Sequence, residues 1–457
     1  MNRLFSKTHF EVAIGPPARV SPRILIWAAA QKGQSSTRLY FDSGCQLEPL
    51  NRFMFCRVPL FCQLMKGLLV VLLLSAVTRG EGLTRFETGP CPGSSGAVRI
   101  DNLPLIFSTQ LFALTDSGAP VAAGVTEQAN FLLDRAEASL GEGGAARIAK
   151  WNFCVSSDEG AEAIRTVLDR RYAGAERAAV SFVVGQLPRP GVLVGLDFVA
   201  VEAVRSGERI VRRHHPLLQP LSLNPSAPAL CSVLPGSFVF VAGQAEPGAS
   251  VAEATRNTLK SLDVTLKSLG LSFADVISVR SFLSPMDQTG SAVEEVHKVH
   301  QGPQVVVEWL APGTIEIELV AASPNPSSEP EARIEYLTPP GMQSSPVFSR
   351  VAKTYGTSLI FVSGLYGTSS RSGTEEVNQI FATLERLLKP AGGNLRNLAK
   401  ATYFVSTDEA SAKLNELRPK YFDPQRPPAA SKAMVRGTGI PDKTLTLDMI
   451  AIPAPRE

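Results

Sequence analysis

FVFVAGQ (Phe238–Gln244) opens a stretch that closes on TIEIELVAA (Thr314–Ala322), and the reading of these 85 residues decides the fold. Phe238 to Val241 is an apolar run long enough for a buried strand and too short for a helix. After the turn at Pro247-Gly248, Val251, Leu259, Leu262, Leu266 and Leu269 recur at helical spacing, and Gly270 stands where a left-handed C-cap residue belongs. Val276 to Leu283 returns to β character, Val293, Val296 and Val299 mark a second short helix, and Val305 to Leu310 is a third strand. In the last strand, from Thr314 to Ala321, alternation puts Ile315, Ile317, Leu319 and Ala321 on one face and Glu316 and Glu318 on the other. Two carboxylates therefore point the same way.

The order and spacing of these parts resembles the RidA (YjgF) family of enamine and imine deaminases. The residues that carry the resemblance are VAGQ in place of the family's VSGQ, the long helix followed by a VxSFLxxM strand, and the ending VVVEWLAPGTIEIELVAA. The resemblance implies an α+β, chorismate-mutase-like domain, a β-sheet backed by two helices. It also implies assembly as a homotrimer with active sites in the clefts between subunits; separately, no HExxH, P-loop, GxSxG or GxGxxG stands in a strand-turn-helix context, so no cofactor is expected.

Self-similarity extends the reading over most of the chain. LIFVSGLYG (Leu359–Gly367), a helix carrying Val377, Ile380, Phe381, Leu384 and Leu387, and TLTLDMIAI (Thr444–Ile452) repeat the pattern downstream, preceded by SPVFSRV, which resembles the family's opening PYSQAV motif. Upstream, LIFSTQLF (Leu105–Phe112), a helix from Val125 to Leu140, and VLVGLDFVAV (Val192–Val201) repeat it more faintly. AKWNFCVSSDE (Ala149–Glu159) aligns without gaps to AKATYFVSTDE (Ala399–Glu409) at matching places. The expected organisation is three RidA-like repeats at 96–203, 225–323 and 335–455, joined by extended linkers at Arg213–Pro228 and Ser323–Arg333. Three copies of a domain that ordinarily trimerises predict a single-chain pseudo-trimer, monomeric in solution.

The amino-terminal part reads differently. Met65-Lys66 precedes GLLVVLLLSAV, an apolar run of signal-peptide length that is too short to span a bilayer. Met65 is read as the start of an exported protein, with 65–80 as signal peptide and 1–64 as an upstream extension; a buried core segment and a cytoplasmic protein are the alternative. Residues 1–64 carry 8 Lys+Arg against 3 Asp+Glu, and the remaining 393 carry 37 against 39, which leaves no basic field to attract a nucleic acid. That balance argues against the endoribonuclease activity also attached to this family. Chorismate-hydrolysing enzymes, which embed the fold as a pseudo-trimer, find no residue-level support. Beyond the leader, Cys91, Cys154 and Cys231 are odd in number and widely spaced, with no CxxC, and read as small buried residues.

In the family, as the resemblance implies, an Arg before the third strand binds the substrate carboxylate and a Glu on the last strand handles the hydrolytic water. Here the middle copy has Gln304 at the Arg position and Glu316 at the Glu position. The last copy has Ala430 and Thr446, although Asn415 matches a family site Asn. The first copy has Ala179 or Val180, depending on one gap, and Gly195. Gly243 and Gln244 of the VAGQ motif complete the expected substrate-binding set. Exchanging Arg for Gln replaces a charged bidentate donor by a neutral amide and favours a weaker anion or a neutral ligand. Arg280 and Arg436 are alternative cations, with surface positions the ordinary reading for both. Glu316 and Glu318 have a second reading as solvated groups or as partners of interior arginines. Glu294, His297 and His300 have a ligand-like spacing but read as a solvated helix face, so no metal is expected. Two functions remain open: a cofactor-independent hydrolase of small imines or enamines with at most one active cleft, that of Glu316, or a small-ligand binding or scaffold protein that kept the fold and lost the chemistry.

Overall fold

The computed structural model describes the backbone of residues 24–27 and 38–41, and residues 82–455 apart from 173–176, 204–205, 312, 324–332 and 369–372. The expected upstream extension lies largely, and the expected signal peptide and second linker wholly or mostly, outside the described residues. The chain divides into two units, Met1–Ala76 and Val77–Glu457. In the first, Ile24–Trp27 pairs antiparallel with Arg38–Phe41. Among the described residues no helix is long and apolar enough to cross a membrane.

The second unit contains three mixed sheets with one strand order. The second sheet runs Gln304–Glu308, Val276–Leu283, Ile315–Ala322, Phe238–Gln244, Val351–Tyr355, Arg333–Leu337. The third runs Ala429–Met434, Leu398–Val405, Leu445–Ala451, Ser358–Val362, Ser95–Asp101, Gly82–Thr88. The first runs Ala179–Val184, Ile148–Val155, Val194–Val201, Leu105–Ser108, Leu230–Val233, Ile210–Arg213, with Leu111–Phe112 also on Val194–Val201. In each, the first two strands are parallel and the others antiparallel.

The elements expected from periodicity are present, but the expected repeat boundaries do not coincide with the sheets. In each sheet the last two strands come from a stretch outside the segment expected to form it. The second sheet is closed by 333–355, the third by 82–101 and the first by 210–233, so the exchange runs in a circle. The connections that cross from sheet to sheet are short: Gly356 and Thr357 alone separate Val351–Tyr355 from Ser358–Val362. A spacing that ordinarily makes a two-residue hairpin here carries the chain from one sheet into the next.

Each sheet packs its outer face on two helices. Val125–Leu140 and Asp158–Arg171 cover the first, Val251–Ser268 and Thr289–His297 the second, Gly373–Leu388 and Asp408–Leu417 the third. The gapless alignment of VSSDE with VSTDE has a physical cause. Ser157 and Thr407 are N-caps that accept from Gly160 N and Ala410 N (each 3.1 Å), starting equivalent helices at equivalent places. Gly270 follows the Val251–Ser268 helix at φ 69°, as its C-terminal position requires. The Arg213–Pro228 segment is not an extended linker. It forms a short 3-10 helix at Gln219–Leu221 and buries Leu218 and Leu221 against the first core, because its leucines have an apolar surface within reach.

The inner faces of all three sheets share one apolar core, to which Phe107, Phe240, Phe361, Val199, Val320 and Ile450 contribute. Beside it lies a ring of buried charge. Asp197, Glu318 and Asp448 hold the same place in the three sheets, opposite Asn152, Arg280 and Thr402. Lys400 Nζ meets Glu318 at 2.8 Å, Lys150 Nζ meets Asp448 at 3.1 Å, and Arg280 meets Asp448 at 3.1 Å, Glu318 at 3.4 Å and Asp197 at 4.0 Å. Lys400, Lys150 and Arg280 thus each reach the carboxylate of another sheet. Burial disfavours the Asp448 anion, but Lys150, Arg280 and Lys400 outweigh it and hold the carboxyl well below its usual range. Asp197 has only Asn152 at hydrogen-bond distance (2.8 Å), and burial pushes its pKa up. Arg280 is therefore an interior cation balancing three carboxylates, not a surface arginine.

Candidate active site

The equivalence of the sheets defines three clefts where the end of one sheet's inner strands meets the edge strand of the next. Pairing registers put Gln110, Gly243 and Gly364 at one equivalent position, Gly195, Glu316 and Thr446 at a second, and Val180, Gln304 and Ala430 at a third. The register thereby selects Val180 over Ala179 as the counterpart of Gln304. Backbone contacts give the partners. Gln110 N donates to Gln304 O (2.9 Å), Gly243 N donates to Ser431 Oγ (3.0 Å), and Gly364 N donates to Val180 O (2.8 Å).

Gln304 and Glu316, expected in one pocket, therefore lie in different clefts. Gln304 faces the first sheet at Thr109 and Gln110, while Glu316 faces the edge strand Ala429–Met434 of the third. The physical reason is that Gln304 lies on an edge strand and Glu316 on a central one, so each meets a different neighbour. Sequence reasoning paired residues within a repeat, whereas the clefts pair residues across repeats.

The cleft of Glu316 contains the acid–base candidate. Glu316 lies so close over Gly243 that a Cβ on that glycine would stand 1.9 Å from Glu316 Oε1. A side chain at residue 243 would displace the carboxyl from this position. Burial, and next the neighbouring Glu318 charge, push the Glu316 carboxyl up to about 7; the Ser431 hydroxyl and the Lys432 ammonium pull it down by less. A carboxyl poised at neutral pH can both take and give a proton.

Ser431 and Lys432 were not singled out from the sequence. Lys432 is half-buried and donates to Ser411 Oγ (2.7 Å) on the Asp408–Leu417 helix. Burial, then Arg418, lower its pKa, while Glu316 raises it. Its counterparts in the other clefts are Val306 and Phe182, so of the three equivalent positions this one alone carries a cation. Nearby, Asn415 Oδ1 accepts from Arg418 Nη2 (3.0 Å), and the Arg418 guanidinium stands 5.2 Å over the Tyr403 ring. The signal that could have found Lys432 was its place two residues after Ala430, the position of the missing family Arg: both lie on one face of the strand.

The remaining candidates are placed elsewhere. Gln244 is buried beneath the Val251–Ser268 helix and donates from Nε2 to Thr265 Oγ1 (2.8 Å), outside the cleft. Glu318 belongs to the central ring. Arg436 makes two 2.6 Å bonds to Glu308, whose Oε2 also accepts from Gln186 N (2.7 Å), tying together the edges of the three sheets. His300 is not on a solvated face. It is fully buried, and burial drives its pKa down to about 3, leaving a neutral imidazole. Among the described residues no group of His, Cys, Asp and Glu is placed to hold a metal ion. Cys91, Cys154 and Cys231 are free and buried, with pKa values raised to about 12, each chiefly by burial, and are unsuited to act as thiolate nucleophiles.

Residues 222–323, the segment containing Gly243, Gln304 and Glu316, match the model of the family described as Endoribonuclease L-PSP. No curated protein matches the chain. Solved structures similar to part of it include a YjgF family member from Neisseria meningitidis, at 19% identity and TM-score 0.21 over 27% of this chain and 97% of that one. A member of the YjgF/YER057c/UK114 family from Mycobacterium tuberculosis is 26% identical at TM-score 0.19, covering 19% and 80%. A protein described as a putative endoribonuclease from Thermotoga maritima is 22% identical at TM-score 0.19, covering 21% and 78%. The family match covers the middle part of the chain, the segment whose motifs carry the resemblance described above.

Proposed function

We propose that the chain is a single-chain pseudo-trimer of three RidA-like repeats and hydrolyses a small imine or enamine, without a cofactor, in the cleft between the second and third sheets. The observation that carries this reading is the Glu316 carboxyl, held between Gly243 and Ser431 with its pKa raised to about 7. In the reaction, the Glu316 carboxylate takes a proton from water as the water oxygen bonds to the C=N carbon. The nitrogen receives a proton from the resulting carboxyl, giving a carbinolamine. Collapse forms C=O, breaks C–N and releases ammonia, with the hydroxyl proton returned through the same carboxylate to the leaving nitrogen. An enamine enters after protonation at carbon. Lys432 supplies a cation beside the base, in place of the guanidinium missing at Ala430, and suits substrates that carry a carboxylate.

A catalytically degenerate small-ligand binding protein is the alternative reading, favoured by Gly195 and Thr446, which leave two of the three clefts without the carboxylate. Turnover of a small imino acid decides between them. Glu316→Gln keeps the shape and removes the proton-transferring group, so the enzyme reading expects a loss of about 100- to 10,000-fold. Equal turnover by the variant and the wild type would refute the assignment of Glu316. A wild type without turnover on any imine or enamine supports the binding reading. We further propose export from a start at Met65; amino-terminal sequencing of the native protein is expected to begin shortly after Ala76, and recovery of residues 1–64 in the native protein would contradict it.

A further inference from the structure

The helix pairs that cover the second and third sheets differ at one place. The eight buried residues of the Val251–Ser268 helix match the eight of the Gly373–Leu388 helix one for one, at a constant offset along the chain. That match sets Leu259 against Phe381 and Arg256 against Asn378. On the third sheet Phe381 is covered by the Tyr421 ring, stacked on it with centroids 4.6 Å apart, and the Tyr421 hydroxyl donates to Asn378 Oδ1. Tyr421 comes just after the second helix of its pair, Asp408–Leu417. On the second sheet the stretch just after Thr289–His297 supplies Val299 instead, a side chain with no ring. Val299 is 42% exposed, and a groove of about 650 Å³, open to solvent, lies between it, Leu259 and Phe273, with Arg256, Lys260 and Lys298 also lining it.

The charges along this groove favour an anion. The buried Glu295 is shared by Arg256 (3.3 Å) and Lys298 (2.8 Å), and Asp263 is taken by Lys267 (2.6 Å). Two cations thus divide one carboxylate, and Lys260 adds a third positive charge to the lining. A ring laid on Leu259 and Val299, as Tyr421 lies on Phe381, would carry its polar substituent to Arg256, as the Tyr421 hydroxyl is carried to Asn378. A guanidinium in place of a neutral amide at that point selects a carboxylate over a hydroxyl. The volume of the groove is that of small-molecule sites in general.

We propose that this groove binds a small aromatic carboxylate, its ring against Leu259, Phe273 and Val299 and its carboxylate on Arg256. The site lies on the outer, helical side of the second sheet, whereas Glu316 faces the third sheet, so it is independent of the chemistry assigned to Glu316.

3-Phenylpropanoate, 3-phenylpropanamide and propanoate are titrated into the full chain by isothermal calorimetry. The aromatic carboxylate is expected to bind saturably, its amide about tenfold more weakly, the difference between a charge-assisted and a neutral hydrogen bond, and propanoate, which lacks the ring, without measurable heat. Arg256→Asn is expected to remove the preference for the acid over the amide. Val299→Tyr, which fills the groove as Tyr421 does on the third sheet, is expected to abolish binding without lowering the thermal unfolding midpoint. Glu316→Gln is expected to leave binding unchanged. No saturable binding of 3-phenylpropanoate, equal affinity for its amide, or full affinity retained in both Arg256→Asn and Val299→Tyr would overturn the proposal. Loss of binding in Glu316→Gln would overturn it as well, by placing the ligand in the other cleft.

Discussion

Glu316 shows how much a single position can ask of its surroundings. Its carboxyl fits only because residue 243 has no side chain, and its raised pKa means that the folded chain holds a proton there more tightly than the unfolded chain does. Such a group favours the fold below the ordinary carboxyl pKa, and that contribution is lost as the pH rises through about 7. Glu316→Gln, which does not ionise, is therefore expected to gain stability relative to the wild type between pH 4.5 and 8, by up to about 3 kcal/mol. Denaturant unfolding of both proteins at the two pH values measures this; a difference that does not change with pH would show that the carboxyl is not perturbed. A substitution that stabilises the fold while removing turnover is the behaviour of a strained functional group.

At the scale of strands and helices, the sequence and the structure part company over pairing, not over elements. The helix at Val125–Leu140 and the strand ending in TIEIELVAA were legible because periodicity is local. The exchange of hairpins was not, since Tyr355-Gly356-Thr357-Ser358 has the spacing of a tight turn and nothing local distinguishes a turn from a crossing between sheets. The same limit hid Ser431 and Lys432, which are 115 and 116 residues from Glu316 in the chain and share its cleft only through the packing of sheets. Val241 and Val351 are register partners across the exchanged pairing, with side chains in one core cluster. The double variant Val241→Cys/Val351→Cys is expected to form an intramolecular disulfide on mild oxidation, cross-strand Cβ atoms lying about 5 Å apart. Val351→Cys/Val362→Cys, which would meet if the hairpin folded back on itself, is expected not to. Mass spectrometry of the oxidised proteins distinguishes the two, and the reverse pattern would contradict the exchange.

For the whole molecule, the circular exchange and the ring of Lys150, Arg280 and Lys400 with Asp197, Glu318 and Asp448 have a common consequence. Each sheet takes strands from distant stretches of the chain and countercharge from another sheet, and a buried carboxylate deprived of its cation is strongly unfavourable. The proposed ring closes within one chain, which frees its three clefts to differ. One keeps a carboxyl and a cation, one carries the amides of Gln110 and Gln304, and one has Thr446 and Val180. Among the described residues the first holds the carboxyl that ionises near neutrality, so turnover by the intact chain should report a single ionisation. The most direct test is the pH dependence of kcat/KM for a small imino acid. The account predicts a rise to a plateau with one midpoint near 7, absent in Glu316→Gln. A pH-independent rate, a midpoint near the ordinary carboxyl value, or the same profile retained in Glu316→Gln would contradict it.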